Sequence, residues 1–263
     1  MITLSSDFGT PYPAAMKGAI LQRSDARLVD VSHDFPRQDV RTAAFWLREV
    51  LPYFPSSVHL AVVDPGVGTD RGALVVRAGD HALVGPDNGL LLPAARRLAT
   101  ARRADEADHA DTAVEVFDWA YETPESHTFH GRDVFAPCAA AVHEAGVDAI
   151  ESLDAATATD AFEDLSFPAP DLSGDTPRGE VLVVDGFGNV VTNLPASVLE
   201  GHYGDYVTVH GTAARVVRAY DRAESGKRVV TVGSHGNVEL AVNRGRGDRS
   251  FDLGPGDAVR LSF

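Results

Sequence analysis

The chain has little of several things. Its 263 residues include one cysteine, Cys138, two methionines and two tryptophans. One cysteine excludes an intramolecular disulfide and fits a reducing compartment. No apolar run approaches the roughly 20 residues that span a bilayer. The first residues, MITLSSDFGT, carry neither a basic segment nor an apolar one of signal-peptide type, so the sequence predicts a cytoplasmic protein without a membrane anchor. Lysine is nearly missing: only Lys17 and Lys227 occur, so 21 of the 23 basic residues are arginines. Against 38 acidic residues these give a net charge of −15. A surface this negative repels phosphate backbones and argues against nucleic acid as a partner. An acidic, lysine-poor, Ala/Asp/Val-rich composition also fits a saline, halophilic milieu. A hydrophobic fraction of 44% is ordinary for a globular chain, and the length suffices for one large domain or two modest ones.

The first half alternates strand-like and helix-like segments. Met1–Leu4, Arg27–Val31 and Val58–Val63 read as strands, with Pro13–Gln22 and Val40–Phe54 as helices between them. VHLAVV, at 58–63, has the continuous apolar character of a strand buried on both faces. Ala73–Arg77 and His81–Val84 read as a hairpin, and Leu90–Ala104 and Val134–Ala145 as helices. This alternation predicts an α/β domain with a mostly parallel sheet. Residues Asp154 to Arg178, including FPAPDLSGDTPRG, have linker composition. Beyond them, seven short strand candidates separated by Gly, Asn and Asp clusters predict an all-β module, a small barrel or sandwich. They are Glu180–Val184, Val190–Leu194, Tyr206–Val209, Ala214–Ala219, Arg228–Val232, Asn237–Val242 and Ala258–Phe263. The predicted boundary lies at 168–177, giving domains 1–170 and 171–263.

Chemistry concentrates in loops that follow apolar strands, where open α/β sheets hold ligands. In SSDFGT, Asp7 suits either a ribose diol or the cap of the next helix. In DPGVGTDR, Asp64 and Arg71 are seven apart across a tight glycine loop that is neither a Walker loop nor GxGxxG. They fit an ionised site carboxylate or a structural ion pair. GPDNG, at 85–89, is a turn signal. HTFHGRD presents His130 beside Gly131; HEXXH and a cysteine pair are both lacking, so no metal site is expected. DGFGNVVTN, with Asp185, Phe187, Asn189 and Asn193, reads as a tight hairpin. Its aromatic ring and amides equally suit a purine's face and edge. GSHGNVELAVNRG places Ser234 and Glu239 at the start of a strand and within it.

SSDFGT, VVDPGVGTDR, GPDNG, TFHGRDVFAP, DGFGNVVTN and GS-x-G-x-x-E-x-AVN occur in this order from residue 3 to about 245. Together they resemble the S-adenosyl-L-methionine (SAM) hydroxide adenosyltransferases, hydrolytic relatives of the fluorinase and chlorinase enzymes. The resemblance implies an N-terminal α/β domain and a C-terminal β-barrel. It implies a homotrimer that binds SAM between subunits and, without cofactor or metal, hydrolyses it to adenosine and L-methionine. By motif the catalytic set falls on Asp64, Arg71 and His130; Asp70 and His127 lie off the motif positions. Asp7 then holds the ribose hydroxyls, Phe187 lies against adenine with Asn189 or Asn193 at its edge, and Asp185 and Ser234 anchor the methionine ammonium and carboxylate. Tyr220 is a second stacking face, and Asn243 and Arg244 offer backbone groups to adenine. His235 and Leu240 stand where the family varies or has isoleucine. A halogenase of the same superfamily and a non-catalytic nucleoside-binding protein are the competing readings. A halide needs no proton acceptor and is repelled by a carboxylate, so Asp64 and His130 favour water.

Overall fold

A computed structural model describes residues 1–101, 114–174 and 176–263. It divides into two compact units, Met1–Ser166 and Phe167–Phe263. In the first unit the elements run β1 (Ile2–Ser6), α1 (Tyr12–Leu21), β2 (Leu28–Ser32), α2 (Val40–Val50), β3 (Val58–Val62), β4 (Ala73–Ala78), β5 (His81–Pro86), α3 (Leu92–Ala101), β6 (Glu115–Trp119), α4 (Ala136–Ala145) and β7 (Ala156–Ala158). They form a seven-stranded sheet of order β2-β1-β3-β5-β4-β6-β7. β2, β1, β3 and β5 are parallel to one another, whereas β4, β6 and β7 extend the sheet by antiparallel pairing from β5. The α/β class holds, with the parallel strands gathered in one half.

Local chemistry explains the elements. Every residue of β1 and β3 is buried, as the apolar run VHLAV requires of a strand covered on both faces. Asp39 caps α2: its carboxylate accepts from the Thr42 N–H at 2.9 Å and from the Thr42 hydroxyl at 2.6 Å. α2 stops at Val50, where a 3₁₀ turn with Pro52 follows, so the helical reading to Phe54 ran four residues long. α4 ends at Gly146, whose φ of +89° suits a residue without Cβ. The stretch expected as a linker from 154 begins as structure instead. β7 pairs with β6, Asp87 accepts the Glu163 N–H at 2.8 Å, and Arg96 bonds Asp164 at 2.7 Å. β6 was not anticipated; EVFDW is short and mixed in polarity, so neither its length nor its pattern separates it from a loop. Residues 102–104 of the expected helix from Leu90, and residue 175 of the expected linker, lie outside the described residues.

The second unit contains β8 (Arg178–Val184), β9 (Val190–Pro195), β10 (Tyr206–Val209), β11 (Thr212–Val216), β12 (Arg228–Val232), β13 (Asn237–Val242), α5 (Gly247–Phe251) and β14 (Ala258–Ser262). Seven strands close into a barrel of order β10-β11-β12-β13-β9-β8-β14, which leaves no free sheet edge. All seven expected strands form, although the one expected at 214–219 lies at Thr212–Val216, because its pairing with β10 starts straight after the turn at 210–211, and closure decides for a barrel over a sandwich. Alternate residues such as Val181, Val190, Val207, Val230 and Leu240 fill its interior.

One buried polar chain in the first unit has a pH consequence. His59, on β3, is 1% exposed; Thr3 Oγ1 meets its Nδ1 at 2.8 Å and His81 Nδ1 meets its Nε2 at 2.9 Å. Burial, and then the neighbouring His81, push its pKa down from 6.5 to about 3. The unfolded chain therefore binds a proton here that the folded chain refuses, so stability falls as pH drops below 6.5 and is fully present above it. Between pH 7 and pH 5 the wild-type protein is expected to lose about 2 kcal/mol more unfolding free energy than His59→Gln, measured by urea titration. Equal losses would contradict this.

Candidate active site

Parallel pairing puts Ser6 of β1 opposite Val62 of β3. Asp7 and Asp64 therefore leave neighbouring strands at the same, carboxyl-terminal edge of the sheet, where such sheets place ligands. After Asp64 the chain curls tightly: Val67 N–H donates to Asp64 O at 3.3 Å and Thr69 N–H to Gly66 O at 3.1 Å. Gly68 has φ of +81°, and a Cβ there would meet the His127 carbonyl at 2.8 Å, so glycine is required on both counts. The curl returns Arg71 to the carboxylate it left.

Arg71 grips Asp64 with a fork. Nε donates to Oδ1 at 2.9 Å and Nη2 donates to Oδ2. Both side chains are nearly buried, at 10% and 4% exposed. Nη1 donates to the Gly72 carbonyl at 3.0 Å, and the guanidinium lies 4.8 Å over the Phe135 ring. The same Nη2 also reaches His130 Nδ1, at 3.0 Å.

His130 precedes a single π-helical turn, Gly131–Phe135, that leads into α4. Such turns recur at functional sites, where they re-aim a side chain. A Cβ on Gly131 would stand 2.9 Å from the Phe8 ring, so glycine lets this turn press against the loop after β1. His130 is 3% exposed. Arginine has no lone pair to offer, so His130 Nδ1 accepts and the neutral ring carries its proton on Nε2. Nε2 is buried and has no partner, unusual for a buried donor. Burial first, and the Arg71 charge second, hold the imidazole pKa below 6.5, which keeps the ring neutral at pH 7. The Tyr121 ring stands edge-on at 6.1 Å. Asp64, Arg71 and His130 thus form one hydrogen-bonded set; Asp70 and His127, off the motif positions, are both exposed.

Asp7 is 8% exposed, and its Oδ2 accepts the Gln38 N–H at 2.7 Å. No group of three or more potential metal-ligating side chains converges among the described residues.

The second unit gathers another group. Asp185 begins the β8–β9 turn: Oδ1 accepts the N–H groups of Phe187 (2.9 Å) and Asn189 (2.8 Å), and Oδ2 accepts from Asn189 Nδ2 (2.9 Å). This ties the turn together and leaves Phe187 81% exposed, a ring with no apolar cover. Tyr220, 40% exposed, donates its hydroxyl to Glu239 Oε1 at 3.1 Å. Glu239 is 6% exposed; burial raises its pKa and the charge of Asp185 adds to the rise. Ser234 is exposed in the turn between β12 and β13. Two expected contacts look different. The Asn193 amide is spent within the unit, accepting the Glu180 N–H and donating to the Pro168 carbonyl, both at 2.8 Å. Asn243 already donates its backbone N–H to Lys227 O and receives the Gly226 N–H, which leaves no free backbone donor there. Arg244 follows, exposed, with φ of +57°. Glu239 was absent from the expected site; its signal was the lone carboxylate inside the apolar strand VELAV.

Known proteins are similar to this chain over nearly its whole length. Residues 2–153 match the family model of the SAM hydroxide adenosyltransferase N-terminal domain, and residues 179–260 that of the C-terminal domain. The chain is 41% identical over 262 residues to an (R)-S-adenosyl-L-methionine hydrolase of Thermus thermophilus, covering 97% of both chains. It is 39% identical over 268 residues to one of Salinispora arenicola, covering 99% of this chain and 97% of that one. A crystal structure of an uncharacterized conserved protein from Thermotoga maritima superposes with a TM-score of 0.82 at 31% identity, covering 99% of this chain and all of that one. With both domain models matched in order along nearly its whole length, the chain belongs to the SAM hydroxide adenosyltransferase family.

Proposed function

We propose that this protein hydrolyses SAM to adenosine and L-methionine, water attacking the C5′ carbon while methionine departs. The observation that carries the reading is the buried, unpartnered Nε2–H of His130, fixed by an arginine that also holds Asp64. The electrophile is a carbon bonded to sulfonium, so the leaving group needs no acid. The work left to the protein is to hold a weak nucleophile in line with the departing sulfur, and positioning of this kind is worth about 7–11 kcal/mol at best.

The hydrogen-bond pattern favours a division of labour. His130 Nε2–H donates to the water oxygen and orients it. Because Nδ1 is engaged by Arg71, the ring is a donor rather than a base, and the carboxylate of Asp64 accepts the proton as the C5′–O bond forms. Arg71 orients the Asp64 carboxylate and selects the imidazole tautomer. The C5′–S bond breaks with its electron pair going to sulfur; the sulfonium charge disappears and one proton leaves, which balances the charge. Asp7 holds the ribose hydroxyls, the exposed Phe187 ring covers adenine with Asn189 at its edge, and Asp185 with Ser234 anchors the methionine end. The net charge of −15 draws a cationic substrate toward the protein. Family membership supports assembly as a homotrimer with substrate between subunits. A single buried cysteine fits a cytoplasmic setting, and the acidity fits a saline one.

Incubation of the purified protein with SAM, with and without chloride, is expected to yield adenosine and methionine at equal rates. A chloride-dependent 5′-chloro-5′-deoxyadenosine would instead show a halogenase, and tight binding without turnover a nucleoside-binding protein. Asp64→Asn and His130→Ala should each lower kcat at least about a hundredfold while changing KM little. A near wild-type rate in either would exclude the division of labour above. The acid limb of kcat/KM is expected to lie below pH 6.5, because protonating His130 removes the Arg71 contact only at that lower pH. A midpoint above 6.5 would contradict it.

A further inference from the structure

A second side-chain chain ends beside the site and has no role above. Ser6, the last residue of β1, is wholly buried and precedes Asp7. Its Oγ receives the Phe8 N–H at 3.4 Å and meets His33 Nδ1 at 2.8 Å. With an N–H donating to it, the hydroxyl is free to donate to Nδ1, which leaves the ring proton on Nε2. Nε2 reaches Asp30 Oδ1 at 3.1 Å, and Asp30 Oδ2 receives Lys17 Nζ at 2.5 Å. The relay therefore runs from a buried hydroxyl at the sheet edge to a lysine on α1.

Two more bonds fasten the same loops. Gly9 N–H donates to the His33 carbonyl at 2.9 Å, and Gln38 N–H donates to Asp7 Oδ2 at 2.7 Å. Gln38 sits at φ of +61°, a conformation that is unfavourable for a non-glycine residue and is kept where surroundings enforce it. The segment after β1 and the segment after β2 thus form a bracket around one carboxylate. The order Ser–His–Asp matches that of a nucleophile, base and orienter. A serine with no exposed surface cannot meet a substrate, however, so the bracket reads as structural support aimed at its neighbour.

We propose that His33 is a positioning residue: through Ser6 it fixes the loop that aims Asp7, while Asp30 and Lys17 hold its ring. The proposal rests on the reading of Asp7 as the residue that holds the ribose hydroxyls. A carboxylate that receives a diol must be set to within a few tenths of an ångström, which side chains locked by a supporting layer achieve. The effect therefore belongs to substrate affinity and not to the attack on C5′.

The test compares steady-state kinetics with SAM for wild type, Asp7→Asn, His33→Ala, His33→Asn, Asp30→Asn and the His33→Ala/Asp7→Asn double variant. Asp7→Asn should raise KM. His33→Ala should raise KM about tenfold with kcat within about twofold, the worth of one lost hydrogen bond. His33→Asn, whose side-chain oxygen keeps an acceptor for the Ser6 hydroxyl, should recover to within about threefold of wild type. Asp30→Asn should move KM in the same direction by less, and it serves if His33→Ala does not fold. The double variant should bind no worse than Asp7→Asn, because the two act through one contact. If Asp7→Asn raises KM but the His33 and Asp30 variants do not, or if the double variant is additive, the positioning role is wrong. If Asp7→Asn itself keeps a wild-type KM, the ribose reading fails and the proposal with it.

Discussion

Everything proposed for catalysis depends on one guanidinium shared by two partners. Arg71 donates to both oxygens of Asp64 and, from the same Nη2, to Nδ1 of His130. Because a guanidinium can only donate, one contact settles two things at once. It assigns the imidazole proton to Nε2 and lowers the imidazole pKa through its charge. A lysine would not substitute, since a point charge cannot grip a carboxylate with a planar fork and reach a third group in the same plane. Removing one member of a buried pair of this kind costs about 3–5 kcal/mol, so Arg71 is as much part of the fold as of the site.

The surrounding structure serves that contact. Two neighbouring parallel strands set Asp7 and Asp64 at one edge. Glycine at 68 allows the curl that brings Arg71 back, and glycine at 131 allows the π-helical turn behind His130 to pack on Phe8. Phe135, from that same turn, supplies the face over which the guanidinium lies. The barrel unit is organised differently. There an aspartate folds its own hairpin turn and leaves an aromatic ring in the open, while Tyr220 donates its hydroxyl to the buried Glu239 carboxylate.

The sequence displayed much of this, for identifiable reasons. VHLAVV announced a strand buried on both faces, and Gly-rich turns spaced the seven barrel strands. The six motifs gave the family and, through it, Asp64, Arg71 and His130. Spacing alone left Asp64 and Arg71 open between a site and a structural ion pair; the bidentate geometry and burial show a pair that also reaches a histidine 59 residues further on, which no local pattern encodes. The imidazole tautomer was invisible for the same reason: it is set by a partner distant in sequence. The polarity of Asn193 is legible, but the hydrogen bonds of its amide to Glu180 and Pro168, and those of the Asn243 backbone to Lys227 and Gly226, are not. β6 and β7 are short mixed segments at an antiparallel edge and carry no periodic signal, and the segment after β7 has the polar composition of a linker while its contacts, Asp87 with Glu163 and Arg96 with Asp164, are tertiary.

The most direct test is long-range ¹⁵N–¹H correlation spectroscopy of His130 in uniformly ¹⁵N-labelled protein, assigned by comparison with His130→Ala. The neutral ring with its proton on Nε2 and a bare, hydrogen-bonded Nδ1 is the expected species at pH 7, persisting below pH 6.5. An imidazolium at pH 7, or a neutral ring protonated on Nδ1, would contradict the arrangement on which the proposed water positioning stands.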